Sequence, residues 1–396
     1  MGGTLKTAVK KLIDTARFWA AAVSVALLTL RSFPPACYFK DLQVVYLTAR
    51  ALRDGIYIFT PVADLAARYF PVTVSLSPYP NHLPPLLSLL SIPLSSLPFP
   101  VLSFLWLAIN LLLLIAVGRM LGLSAVGSVT LAAWPPAFWV LDNGNLEMAI
   151  LALTLRGWKE ARSNRDWQSG LFLGLAAVIK FYPALFLLPF LVRGRLRVVG
   201  AAGLIFGLGQ LGNLAAVGPA GLVTYCRDIL PIGSSLWIHL GLNSAPYGML
   251  SRLFGGAEDI APLIHAPWLV LPITLALSAF ALLAILKLEP EASPLAVLVG
   301  LPNVRGYFAV LALPKIVDLL SRNELKCASF ISALCVSFTL PLVNLMLNTG
   351  SSIFHLGAAT HSALACLLAS IQTIGFVSLL VTALIIFSKD RQVHPE

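Results

Sequence analysis

The sequence predicts an all-α, polytopic integral membrane protein of about twelve transmembrane helices. Three observations lead there. Hydrophobic residues make up 58% of the 396 and charged residues only 11%, where a soluble domain carries about 25% charged residues. The apolar runs are long and continuous, whereas barrel strands would alternate over about ten residues. The Lys and Arg residues behind the net charge of +10 sit mostly in short turns between those runs, as the positive-inside rule places them. No basic tract interleaves with aromatics, so membrane lipids are expected as partners and nucleic acid is not.

The elements follow in order. Lys6, Lys10, Lys11 and Arg17 place the N-terminus in the cytoplasm, and a first span runs over about residues 17–33, ending at Pro34-Pro35. Residues 34–99 form a first outer loop. Its opening part, 41–55, reads as an amphipathic helix, because Leu42, Val45, Leu52 and Ile56 recur near helical spacing. Its closing part, 83–97, is apolar but broken by Pro84, Pro85 and Pro93. Counting it as a full crossing would put the basic turn Arg156, Lys159, Arg162 and Arg165 outside, so it reads as re-entrant or interfacial.

Spans at 100–118, 123–140 and 145–157 follow. Residues 167–192 lie between two basic turns that both belong inside, which requires two short helices meeting near Lys180-Phe181-Tyr182-Pro183. A span at 197–217, a second outer loop at 218–266 and a span at 267–286 come next. Residues 293–320 again read as two short helices, with an apex at Pro302-Asn303-Val304-Arg305, and spans at 327–347 and 362–387 return the C-terminus to the cytoplasm. The whole, 1–396, reads as a single transmembrane domain.

On this topology the outer face collects the polar residues. Asp41, Tyr79, His82, Asn145, Lys180, Asn243 and Arg305 are all on it. Carboxylates are scarce in this chain, and one held at a membrane surface beside basic residues suits proton chemistry on a lipid-linked substrate. Asp41 is that carboxylate, although aspartate is also a preferred helix N-cap and could serve only there. An ammonium such as Lys180 at the apex of a membrane hairpin is costly unless it holds an anion. The five cysteines, at 37, 226, 327, 335 and 366, show no CxxC spacing and give no zinc site. A Cys37–Cys226 disulfide stays open, with scattered small core residues as the plainer reading.

The order of these segments resembles a known family, the GT-C glycosyltransferases and within them glycosyltransferase family 87. Five stretches carry the resemblance: KDLQVVYLTARALRDG at 40–55, YPNHLPPLLSLLSIPLSSLP at 79–98, NGNLEMAILAL at 143–153, GLFLGLAAVIKFYPALFLLPFL at 170–191 and LNSAPYGMLSRLFG at 242–255. The resemblance implies a GT-C-like fold in the plasma membrane, with the active site facing outward. It also implies inverting transfer of one sugar, mannose by default, from a polyprenyl-phosphate donor to a lipid or glycolipid hydroxyl. In that chemistry a carboxylate takes the acceptor proton and cations stabilise the departing lipid phosphate.

The roles that follow are Asp41 as base, Lys180 and Arg305 as phosphate ligands, and Tyr79, His82, Asn145, Asn243 and Tyr307 as substrate contacts. Two departures from the family pattern are visible. Tyr307 stands where the family's late hairpin has histidine and Arg305 where it has tryptophan, and Asn81-His82 is inserted before Pro84-Pro85. No cofactor is expected. A monophosphate leaving group does not need a divalent metal, and Asp41, Asp142 and Glu147 leave one open. A transporter or flippase of a lipid-linked or amphipathic substrate is the competing class, which would place polar groups at the bilayer midplane between repeated halves.

Overall fold

The computed structural model describes residues 39–70, 76–232, 238, 243–256, 262–321, 326–337 and 363–393, with scattered positions between 19 and 26. Helices make up the architecture, and there is no strand among the described residues. Among the described residues, four helices are long and apolar enough to cross a membrane: Phe99–Met120, Leu196–Ile232, Pro267–Lys287 and Ala369–Asp390. At 1.5 Å per residue, the 22 residues of the first span about 33 Å, slightly more than the ~30 Å hydrocarbon core of a bilayer. Val101, Phe104, Leu112, Leu271 and Leu275 are exposed along such helices, a surface suited to lipid tails rather than water. The expected span 17–33 and the second half of 327–347 lie largely outside the described residues.

The chain forms two compact units, Met1–Arg156 with Gly207–Ile229, and Gly157–Phe206 with Leu230–Glu396. In the first unit, α1 (Lys40–Arg53), α2 (Val62–Tyr69) and α3 (Pro85–Leu90) precede the long α4 (Phe99–Met120). At six residues α3 is far too short to cross a bilayer, and its prolines explain why. Pro84 and Pro85 open the helix, where a missing N–H costs nothing, and Pro93 and Pro98 forbid its extension.

The α1 helix packs through Tyr46, which lies 6.2 Å from the ring of Phe70 and 5.2 Å from that of Phe99 and donates its hydroxyl to Leu97 O at 3.0 Å. Buried Thr48 hydrogen-bonds the buried Ser88 hydroxyl and accepts from the buried Asn81 amide. At its far end, hydrogen bonds from Tyr69 and Arg53 hold the Asp54 carboxyl below the usual carboxylate range.

After α4 the sequence suggests one span at 123–140, and the structure differs. It breaks there into α5 (Ala125–Thr130), a 3-10 turn and α6 (Pro135–Asn143). The residue before a proline is pushed out of the helical region, and Trp134, ahead of Pro135-Pro136, sits at φ −72°, ψ 122°. The α7 helix (Glu147–Arg162) then runs on through the basic turn. In contrast, the break expected near Lys180 in 167–192 is present: α8 (Asp166–Ile179) stops at an extended Lys180, and a 3-10 turn, Tyr182–Leu187, leads into α9 (Leu188–Val192).

The α10 helix (Leu196–Thr224) breaks at Gly218, whose φ of 68° and ψ of 175° few other residues adopt, directly before Pro219. The second unit continues through α11 (Pro246–Leu250), α12 (Val270–Lys287), α13 (Ser293–Gly300), α14 (Leu313–Ser321), α15 (Lys326–Ser337) and α16 (Ala363–Val393). The expected apex at 302–305 falls between α13 and a 3-10 turn, Gly306–Ala312. Cys226 is a free, exposed thiol, while Cys37 lies outside the described residues.

Candidate active site

In the first unit the site is built around Asp41. The aspartate is not the cap of α1. Phe39 holds that position with φ 57° and ψ 40° and no side-chain cap bond, which leaves Asp41 within the first helical turn. A carboxylate there gains from the helix dipole, and it stays half-buried. Left-handed backbone is uncommon for a phenylalanine, so the tertiary contacts must enforce it. Phe39 is buried and donates its N–H to Asp142 O at 3.0 Å.

That contact joins α1 to the Asn143-Gly144-Asn145 turn between α6 and α7. Asn145, also buried, donates its side-chain amide to Asp41 Oδ2. Its Oδ1 accepts from the backbone N–H of Glu147 at 3.0 Å, fixing the amide's orientation at the start of α7. Trp106 on α4 donates its indole N–H to Gly144 O at 2.9 Å. The turn is therefore held from three sides, and one of its asparagines carries that rigidity to the aspartate.

Gly144 is needed here for two reasons. Its φ is +64°, and a Cβ at that position would lie 2.9 Å from Leu42 Cβ and 3.0 Å from Phe39 Cδ1. Gly144→Ala is expected to lower stability by at least about 1–2 kcal/mol, read as a fall in the thermal unfolding midpoint in detergent. An unchanged midpoint would mean the turn relaxes freely.

Asn145→Ala removes a hydrogen bond to a charged group, an interaction of about 1.5–3 kcal/mol. It is expected to lower kcat about tenfold or more while leaving donor KM close to the native value. A change in KM alone would argue for the direct substrate contact read from the sequence. Tyr79 and His82 are exposed on the segment leading into α3, and the His82 carbonyl accepts from Tyr225 Oη at 3.1 Å. Glu147 is fully buried. Among the described residues no three His, Cys, Asp or Glu side chains gather in a way that would hold a metal ion.

In the second unit a cluster of aromatic rings gathers the two expected phosphate ligands. Lys180 Nζ lies 4.9 Å from the centre of the Phe308 ring and 5.8 Å from that of Tyr307. Arg305 Cζ is 6.0 Å from the same Tyr307 ring. These are cation–π distances, and Tyr307 is buried. Tyr182 packs on Phe308 with ring centres 5.4 Å apart, tying the Lys180 segment to the loop at 302–308. Lys180 thus sits over both rings and Arg305 over one of them, Tyr307.

Asn243 corrects the sequence reading. It is 1% exposed, and its amide is committed to backbone at every position. The Nδ2 group donates to Ile238 O and Pro302 O at 3.1 and 2.8 Å, and Oδ1 accepts from Ala245 and Val304 N–H at 2.9 and 3.0 Å. An asparagine offers two donor and two acceptor positions, so none remains for a sugar. It holds the Arg305 loop instead, and a backbone bridge pairs Asn243 with Arg305. Local sequence signals singled out Asp41, Asn145 and Lys180 but not Phe39, Trp106 and Phe308, which the structure places in contact with them or with the Asn143-Gly144-Asn145 turn. Only Phe308 carried a hint, through its place beside Tyr307.

The family model for glycosyltransferase family 87 matches residues 81–314. The chain belongs to that family. The family 87 match takes in His82, Asn145, Lys180, Asn243, Arg305 and Tyr307, whereas Asp41 and Tyr79 precede it. Over 210 residues the chain is 28% identical to the polyprenol-phosphate-mannose-dependent alpha-(1-2)-phosphatidylinositol pentamannoside mannosyltransferase of Mycolicibacterium smegmatis, an alignment covering 47% of each protein. The chain thus spans about half the length of that curated relative. No solved structure matches it.

Proposed function

We propose that this protein is a membrane glycosyltransferase of the GT-C type that transfers one sugar from a polyprenyl-phosphate donor to a hydroxyl of a lipid or glycolipid. Mannose is the sugar, by similarity to the mycobacterial relative. The observation that carries the reading is the fixed carboxylate, Asp41 held by Asn145 on a rigid turn, in a chain of family 87. Its chemistry suits a general base.

In this mechanism the acceptor oxygen attacks the anomeric carbon and its proton passes to Asp41. The bond from that carbon to the phosphate oxygen breaks, inversion results, and polyprenyl phosphate leaves. Lys180, set over Phe308 and Tyr307, and Arg305, set over Tyr307, stabilise the charge on the departing phosphate. Tyr79 and His82 contact the substrates, Tyr307 stands where the family's histidine would, and Asn243 positions the loop of Arg305. The protein lies in the plasma membrane with about twelve crossings, residues 83–97 re-entrant, both termini cytoplasmic and the site outward.

The test is transfer of radiolabelled mannose from polyprenyl-phosphate mannose to a membrane lipid extract by the purified protein. Label appearing in a lipid acceptor supports the reading. Its absence with mannose and with other polyprenyl-phosphate sugars overturns it and brings back transport of a lipid-linked substrate.

A further inference from the structure

We infer that Gln372, on the C-terminal helix, is a positioning residue that latches the loop carrying Arg305. The latch rests on the proposed transferase reading for its purpose and on geometry for its existence. Gln372 is 1% exposed and uses its amide on three separate parts of the second unit. Its Nε2 donates to Gly306 O at 3.1 Å and to Val336 O at 3.0 Å, and its Oε1 accepts from Ser244 Oγ at 2.8 Å. Gly306 directly follows Arg305, and Val336 belongs to α15.

Neighbouring positions of α16 act on the same region. Thr373 Oγ1 donates to Ser244 O at 2.8 Å, and Arg252, fully buried, joins Asn243 O at 2.8 Å to Ala369 O at 3.1 Å. Residues 369, 372 and 373 are spaced three and four apart, so they share one face of the helix. Ser244 in turn donates its N–H to Val304 O at 2.6 Å, and Asn243 accepts from Val304 N–H. The loop 302–306 is therefore held by the Asn243-Ser244 pair and by Gln372, which are themselves joined through the Ser244 hydroxyl. Each contact is a buried polar bond whose partner would be stranded if it broke, which makes the arrangement stiff rather than adaptable. The α16 helix lies beyond the residues that the family model matches.

Two variants separate a latch from ordinary core packing. Gln372→Met keeps volume and removes all three hydrogen bonds, and Ser244→Ala removes a single hydroxyl as a milder probe. Hydrogen exchange of the full-length protein in detergent is followed for a peptide covering residues 302–308 and, as control, one within α4. The expected result is exchange in 302–308 that is several-fold faster in Gln372→Met and less so in Ser244→Ala, with α4 unchanged.

With the polyprenyl-phosphate mannose donor, kcat is expected to fall about fivefold, because Arg305 acts on the charge of the departing phosphate, while KM stays within about twofold. In an Arg305→Gln background the Gln372→Met effect on kcat should vanish, because a residue acting through Arg305 cannot be additive with its loss. Native exchange at 302–308 in both variants, or full additivity with Arg305→Gln, overturns the latch. Failure of the transferase reading looks different. Wild type then gives no turnover with any polyprenyl-phosphate sugar, and the exchange comparison still decides whether the loop is latched.

Discussion

Replacing Asp41 with asparagine is expected to cut sugar transfer by about 10²- to 10⁴-fold, the usual contribution of a positioned general base. The substitution preserves the shape of the side chain and an acceptor oxygen for Asn145, so the contact that orients residue 41 survives. What disappears is the capacity to take a proton as the acceptor hydroxyl attacks. The loss should therefore fall on kcat, with donor KM and the thermal midpoint near wild type. It should also exceed the loss in Asn145→Ala, where the base remains and only its placement suffers. The comparison uses labelled transfer from polyprenyl-phosphate mannose at saturating donor. Equal rates for wild type and Asp41→Asn would remove this carboxylate from the chemistry, and a base would then have to be sought at Glu147 or His82.

Much of the architecture was legible because membrane topology writes itself in hydropathy, prolines and basic turns. Pro84, Pro85 and Pro93 gave away the short α3, and Pro183 with two inside-type basic turns gave away the break at Lys180. The break at Trp134 was equally written in Pro135-Pro136, but the apolar run around it outweighed that signal. The candidate site was legible only residue by residue. Asp41 and Asn145 are 104 positions apart, and no local pattern announces that one asparagine will grip a remote carboxylate.

The same limit explains Asn243. From sequence it is a polar residue near an outer loop, and only the fold shows that backbone groups of residues 238, 245, 302 and 304 consume its amide. Phe39 is harder still, since a left-handed phenylalanine contradicts local preference and is imposed by the Asp142 and Gly144 contacts. The alternative reading of Asp41 as a cap fails for that reason. The unusual backbone at Phe39 puts the cap two residues earlier and leaves the aspartate inside the first turn.

Lys180→Gln is the second large effect, an expected loss of about 10²- to 10³-fold in kcat/KM, the scale for removing one preorganised group that stabilises developing charge. The partition of that loss is informative. A polyprenyl monophosphate is anionic in the bound donor and gains charge as the sugar leaves. An ammonium acting equally on both states would raise KM and spare kcat, whereas one aimed at the leaving oxygen lowers kcat. The surroundings favour the second. Lys180 is pinned against Phe308 and Tyr307 at the end of α8 rather than free to follow the donor, so its charge is placed before the bond breaks. Lys180→Arg keeps the charge and should recover part of the activity, but the broad guanidinium does not reproduce the point charge of the ammonium over that ring. Steady-state kinetics on wild type, Lys180→Gln and Lys180→Arg read the partition directly. Transfer by Lys180→Gln within about twofold of wild type would assign the phosphate to Arg305 alone and leave Lys180 a structural cation on its aromatic pair.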